Sequence, residues 1–116
     1  MTKEITLQGK TYPIDFTMQA IMTFEEIANK SFFDCNFSKT TDRIALIYAA
    51  VMNADKKADI TVEKITGDMG LQAVKDVIAA FGIVMILANE FFELPKVKQD
   101  VDKADEPKEG DENTKN

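Results

Sequence analysis

Apolar positions alternate with polar ones near the N-terminus, and from residue 17 onward they recur every three to four residues instead. The first pattern predicts two strands and the second a series of amphipathic helices. Glu4 to Gln8 and Thr11 to Phe16 flank Gly9-Lys10. A glycine at the first central position is what a two-residue type II′ turn requires. Such a turn pairs Leu7 with Tyr12 and Ile5 with Ile14, gathering the apolar side chains on one face. Pro13 has no N–H to donate, which predicts a free edge or an interruption at that point. A lone hairpin is marginal in water, so its apolar face is expected to lie against helices.

Thr17 suits an N-cap, and Phe16 with Ile21 stand at the spacing of a hydrophobic staple. Ala20, Ile21, Phe24, Ile27 and Ala28 form the expected core stripe of this first helix, and Asn29 suits a left-handed cap at its end. A loop through Ser31-Phe32-Phe33-Asp34-Cys35 leads to a second helix expected from Thr41 to Asn53, with Asp42 in its positive first turn. Its run from Ile44 to Met52 is apolar without a break, so this helix is either central or covered by a partner. Thr61 caps a short third helix, Ile60 and Ile65 form its staple, and Gly67 ends it.

The last helix is expected from Leu71 to Glu93, with a mild weakness at Gly82. Leu71, Val74, Ile78, Phe81, Met85, Ala88 and Phe92 make a continuous stripe along it, read as the core face. The second half adds Ile83, Val84, Ile86, Leu87 and Phe91 on the remaining faces. Three short helices and a hairpin offer too little cover for all of that half. Ile83, Ile86, Leu87 and Phe91 are therefore candidate partner-binding residues. Met18 and Met22 stand beside the first helix's stripe, and two readings of them remain: an adaptable binding surface, or gap-filling in the core.

Together these elements define a mainly α fold, a small bundle of about four helices with a short N-terminal β-hairpin and a disordered C-terminal tail. The length of 116 residues is that of one domain. Residues 96–116 carry five Lys and seven Asp or Glu, with only Val97, Val101 and Ala104 as apolar residues. Such a segment cannot bury enough surface to offset its ordering entropy. The expected division is a helical domain over 1–95 and a disordered acidic tail over 96–116. No signal-peptide pattern opens the chain. The most apolar run, Val77 to Ala88, is twelve residues long, short of the roughly 20 a bilayer span needs. A cytoplasmic protein without a membrane span is expected.

Composition removes much of enzyme chemistry. There is no His, the commonest general base and metal ligand. The one Cys, Cys35, allows neither an internal disulfide nor a thiolate cage, and Asp34 beside it supplies negative charge where a reactive thiolate needs positive. Asn53, Asp55, Asp59 and Thr61 have spacings like those of a calcium loop, but Ala58 replaces the turn glycine and Lys64 the bidentate Glu. Glu25 and Glu26 point about 100° apart on a helix and cannot share a proton. Neither Gly9-Lys10 nor Gly67-Asp68-Met69-Gly70 has the Lys and Ser/Thr of a phosphate loop. The formal net charge of −6 repels phosphate backbones. No catalytic residue, metal, cofactor or nucleic acid is expected.

The segment YPIDFTMQAIMTFEEIANKSFFD, followed by DRIALIYAAVMNADKKADITVEKI and a long apolar helix, resembles the tail assembly chaperones of long-tailed bacteriophages and related prophage proteins. The shared features are the short hairpin, an aliphatic helix carrying Phe24-Glu25, and the Lys30-Ser31 pair after it. The Leu46-Ile47-Tyr48-Ala49 run and the Asp59-Ile60-Thr61 lead into a short helix complete the set. Where many such proteins have Gly before the Lys-Ser pair, this chain has Asn29, which a left-handed cap tolerates.

The resemblance implies a non-enzymatic role in virion assembly. Such chaperones bind the helical tape measure protein and keep it soluble until tail tube subunits polymerise around it. In many of these phages a frameshifted, longer form recruits the major tail tube protein, and a charged tail is a suitable joint to such an added domain. Self-association is a further use of the same apolar face. The rival reading from another class is a small regulatory or antitoxin-like protein acting one-to-one on a folded target. A third, a self-assembling tube or connector subunit, calls for a β-rich chain.

Overall fold

The structure is a computed structural model and describes residues 2–93. The expected tail over 96–116 lies outside the described residues. Six elements follow in order: β1 (Thr2–Leu7), β2 (Lys10–Asp15), α1 (Met18–Ala28), α2 (Thr40–Ala54), α3 (Val62–Thr66) and α4 (Leu71–Glu93). The expected fold class, a hairpin followed by four helices, is the one observed.

The hairpin forms, but with a different turn and register. Gln8 and Gly9 are the two turn residues, with φ of 53° and 77°, and Ile5 pairs with Tyr12 while Leu7 pairs with Lys10. Positive φ at both central positions is the type I′ pattern, not the type II′ turn expected at Gly9-Lys10. Tertiary contacts hold Gln8 in its unusual conformation. Its N–H donates to Asp76 Oδ2 of α4 at 3.1 Å, and its side-chain amide lies over Gly67, where a Cβ would have to push it aside. The register differs from the expected one by two residues, which keeps each side chain on its face. Ile5, Leu7, Tyr12 and Ile14 are all buried. Pro13 sits opposite Glu4 on a rung that, counted from the closing pair, needs no N–H.

The hairpin's apolar face is covered by two helices, β1 lying on α4 and β2 on α2. α1 also packs on α2, and α3 bridges α2 and α4. The caps are as expected. Thr17 Oγ1 accepts from Gln19 N–H, Asn29 takes φ 57° and ψ 44°, and Thr61 caps α3, which Gly67 ends. Ile44, Leu46, Ile47, Ala49, Ala50 and Val51 are buried around the whole circumference of α2. It is the central helix, the first of the two options its unbroken apolar run allowed.

Eight phenylalanines occur in the chain, and all eight join one connected set of ring contacts. Phe32, in the loop after α1, is its hub. Its ring lies 5.8 Å from Phe16, 6.0 Å from Phe24 and 5.5 Å from Phe37, and it also meets Phe33 and Phe92. The segment read as a connecting loop is thus part of the core, with Phe32 and Phe37 both buried.

Polar contacts hold that loop down at each step. Glu25 Oε2 accepts from Phe32 N–H at 3.0 Å, Lys30 Nζ pairs with Asp42 at 3.0 Å, and Arg43 Nε donates to the Phe37 carbonyl at 2.6 Å. Phe37 has φ 58°, a strained conformation for an aromatic residue. Its burial and the Arg43 contact stabilise it there. The Lys30 ammonium holds the Asp42 carboxyl below the usual carboxylate range; burial works against this, and the Cys35 thiol, donating at 3.5 Å, reinforces it.

Two outcomes follow for stability. Phe32→Ala is expected to cost about 3–5 kcal/mol by urea denaturation, whereas Phe33→Ala, at a ring 69% exposed, stays within about 1 kcal/mol. Because the folded-state pKa of Asp42 is lowered, its contribution is complete above about pH 4 and drains away as pH falls through that pKa. The Asp42→Asn variant loses this part of the acid dependence, read as the urea midpoint against pH.

Candidate protein-docking surface

α4 has 23 residues and is long and apolar enough, by length and composition, to cross a membrane. This revises the twelve-residue reading of its apolar run. In the fold it is a core helix on one side only. Ala73, Val77, Ala80, Val84, Leu87 and Ala88 are buried. The expected core stripe is therefore turned outward over the first half: Leu71 is 71% exposed, Val74 50% and Ile78 60%. Three of the six inward positions are alanine, which lets β1 and α2 pack close to the helix, and Leu71, Val74 and Ile78 are left outside. Gly82 does not interrupt the helix. In α1, Ile27 likewise lies 42% exposed rather than in the core stripe.

The outward positions Val74, Ile78, Gly82 and Ile86 succeed one another at four-residue steps, so they form one row along the helix. Beside its N-terminal half, α2 and α4 diverge to leave a groove of about 420 Å³. Ile44 and Thr41 of α2 form one wall, Val74, Val77 and Ile78 of α4 the other, and Met69 stands at its edge. Met69 is 77% exposed and adopts φ 62° in the short connection from α3 to α4. Row and groove make one continuous apolar surface through the shared residues Val74 and Ile78.

The candidate partner-binding residues divide under this geometry. Ile86 is 49% exposed and belongs to the row. Ile83 is half-buried against the core, and Phe91 is half-buried with its ring 5.6 Å from Phe16. Leu87 is buried, which corrects its assignment to a partner face: it falls on the side of α4 that β1 and α2 cover. Met18 and Met22 are exposed on α1, favouring the surface reading over gap-filling, but α1 packs on α2, and the methionines form a patch apart from the α4 row. A further exposed pair, Phe33 and Phe92, stands at the C-terminal end of α4 with ring centroids 6.0 Å apart.

The sequence reading missed Leu71, Val74, Ile78 and Met69 as surface residues. A signal was present in the alanines Ala73, Ala80 and Ala88, which mark a close-packed face on the opposite side of the helix. Among the described residues no group of three or more Cys, Asp or Glu side chains is placed to hold a metal ion. The loop from Asn53 to Thr61 is held by an ion pair between Lys64 and Asp59 at 2.6 Å, and the Lys64 ammonium lowers the Asp59 pKa.

Comparison of the chain with protein-family models, with curated proteins and with solved structures gives no match.

Neighbouring residues of α4 should respond in opposite ways. Leu87→Asp places a charge in the core and is expected to abolish the folded circular-dichroism signal at room temperature. Ile86→Asp, one position along, leaves the melting temperature within a few degrees, about the effect of a surface change.

Proposed function

We propose that this protein is a non-enzymatic binding protein that covers apolar helical surface on another chain. In the setting its sequence resembles, it is a tail assembly chaperone that keeps a helical tape measure protein soluble in the bacterial cytoplasm until the tail tube polymerises. The observation carrying this reading is the row Val74, Ile78 and Ile86, which continues into the apolar groove between α2 and α4. A partner helix seats its apolar stripe in such a groove by the usual three- and four-residue anchors.

Magnitudes favour many weak contacts over one tight one. Leu71, Val74, Ile78 and Ile86 are already partly covered by their own helix, so enclosing them gains roughly 1 kcal/mol each. The entropy of association, about 4 kcal/mol or more, offsets all of that sum, leaving only what the groove residues add. A single domain then binds weakly, and several copies along one long helical client bind by avidity. Weak individual contacts also suit displacement by tube subunits. The net charge of −6 keeps a client decorated with many copies from aggregating. A longer frameshifted form would bring the major tail tube protein to the same complex.

Co-expression with a tape measure chain tests the reading. The expected complex holds many copies per client, measured by native mass spectrometry, and Ile78→Asp lowers co-purified client at least tenfold with the variant still folded. A fixed small ratio on a folded target would favour the one-to-one regulator instead.

A further inference from the structure

We infer that α4 pairs with the α4 of a second copy of this chain, antiparallel and crossing at Gly82. Gly82 lies in the interior of a helix, where glycine is unfavourable relative to alanine. Nothing in the described fold requires it: its backbone is not left-handed, and a Cβ there would meet no atom within 4 Å. A position without a side chain in the middle of an outward apolar row lets a second helix backbone come close. Ile78 and Ile86 flank that glycine symmetrically, and Val74 extends the row on its N-terminal side.

An antiparallel crossing at Gly82 sets Ile78 of each copy against Ile86 of the other, four residues to either side. Both contacts are made twice by the two-fold symmetry, and each joins half-exposed aliphatic side chains. Charge selects the direction. Lys75 comes opposite the second copy's Asn89, one turn from its Glu93 and one position from its Glu90. Glu90 Oε1 is shielded from solvent and has no hydrogen-bond partner among the described residues. A parallel pair would instead stack Lys75 on Lys75 and Glu93 on Glu93. On its outward face the helix is self-complementary, apolar about the centre with Lys75 toward one end and Glu93 at the other, while Asp76 beside Lys75 is taken up by the Gln8 N–H and the Gln72 amide. That self-complementarity identifies the occupant as this same chain. The pairing is measured without any client, so its outcome is separate from that of the chaperone reading.

Sedimentation equilibrium of the full chain is expected to show a monomer–dimer transition between about 1 µM and 1 mM. Gly82→Leu should weaken the dimer at least tenfold while the thermal stability of the monomer holds or rises, because leucine is the better helix former. Lys75→Glu should weaken it, and Lys75→Glu with Glu93→Lys should restore it. In a Cys35→Ser background, mixing Ile78→Cys with Ile86→Cys chains should give disulfide-linked dimers of unlike copies. Monomer mass throughout, a dimer indifferent to Gly82→Leu, or cross-linking of Ile78→Cys chains to one another would overturn the inference. The monomer result would leave the row to a different protein.

Discussion

Two helices in this chain are apolar on nearly every side, and a domain of this size has one interior. That constraint orders everything else. α2 takes the centre, with α1, β2, α3 and α4 arranged around it. α4 is left with cover on a single side, where its alanines admit β1 and α2. Val74, Ile78 and Ile86 face outward along a row about three turns long. The exposed surface is therefore a consequence of how the interior is allotted, and it is held rigidly by a helix whose other face is fixed.

The second organising feature is the loop between α1 and α2. A loop that contributes Phe32 and Phe37 to the core must satisfy its backbone away from water, and the contacts from Glu25 and Arg43 do this. Glu25 and Lys30 both have structural work in this fold. One binds the Phe32 N–H and the other pairs with the buried Asp42. Arg43 stacks 4.9 Å from the Phe81 ring as well, which links the loop to α4.

Much of this architecture was legible in the residues. Helix ends were readable because caps are local chemistry: Thr17, Asn29, Thr61 and Gly67 act within a few residues of themselves. Composition narrowed α2 to two places, central or covered by a partner, and the contacts of the fold select the first. The turn was misread because Gln8 takes its conformation from Asp76 and Gly67, more than fifty residues away, and no local pattern encodes that. The inward face of α4 was misread because size was taken as the mark of burial. Close packing put alanine at three of the six inward positions and left Leu71, Val74 and Ile78 outside. Of the candidate site, Ile86 is exposed, as are Met18 and Met22, for which surface and core readings had both stood open, while Leu87 lies in the core on the face that β1 and α2 cover.

The strand β1 opens the chain and rests on α4, which closes the described domain. Such a junction between first and last described elements ties closure of the domain to the synthesis of α4. While the ribosome is still making the first seventy residues, Ile5 and Leu7 have no α4 to lie against and remain sticky. A message cut short inside α4 would yield a product with that strand uncovered, prone to aggregation and open to proteolysis.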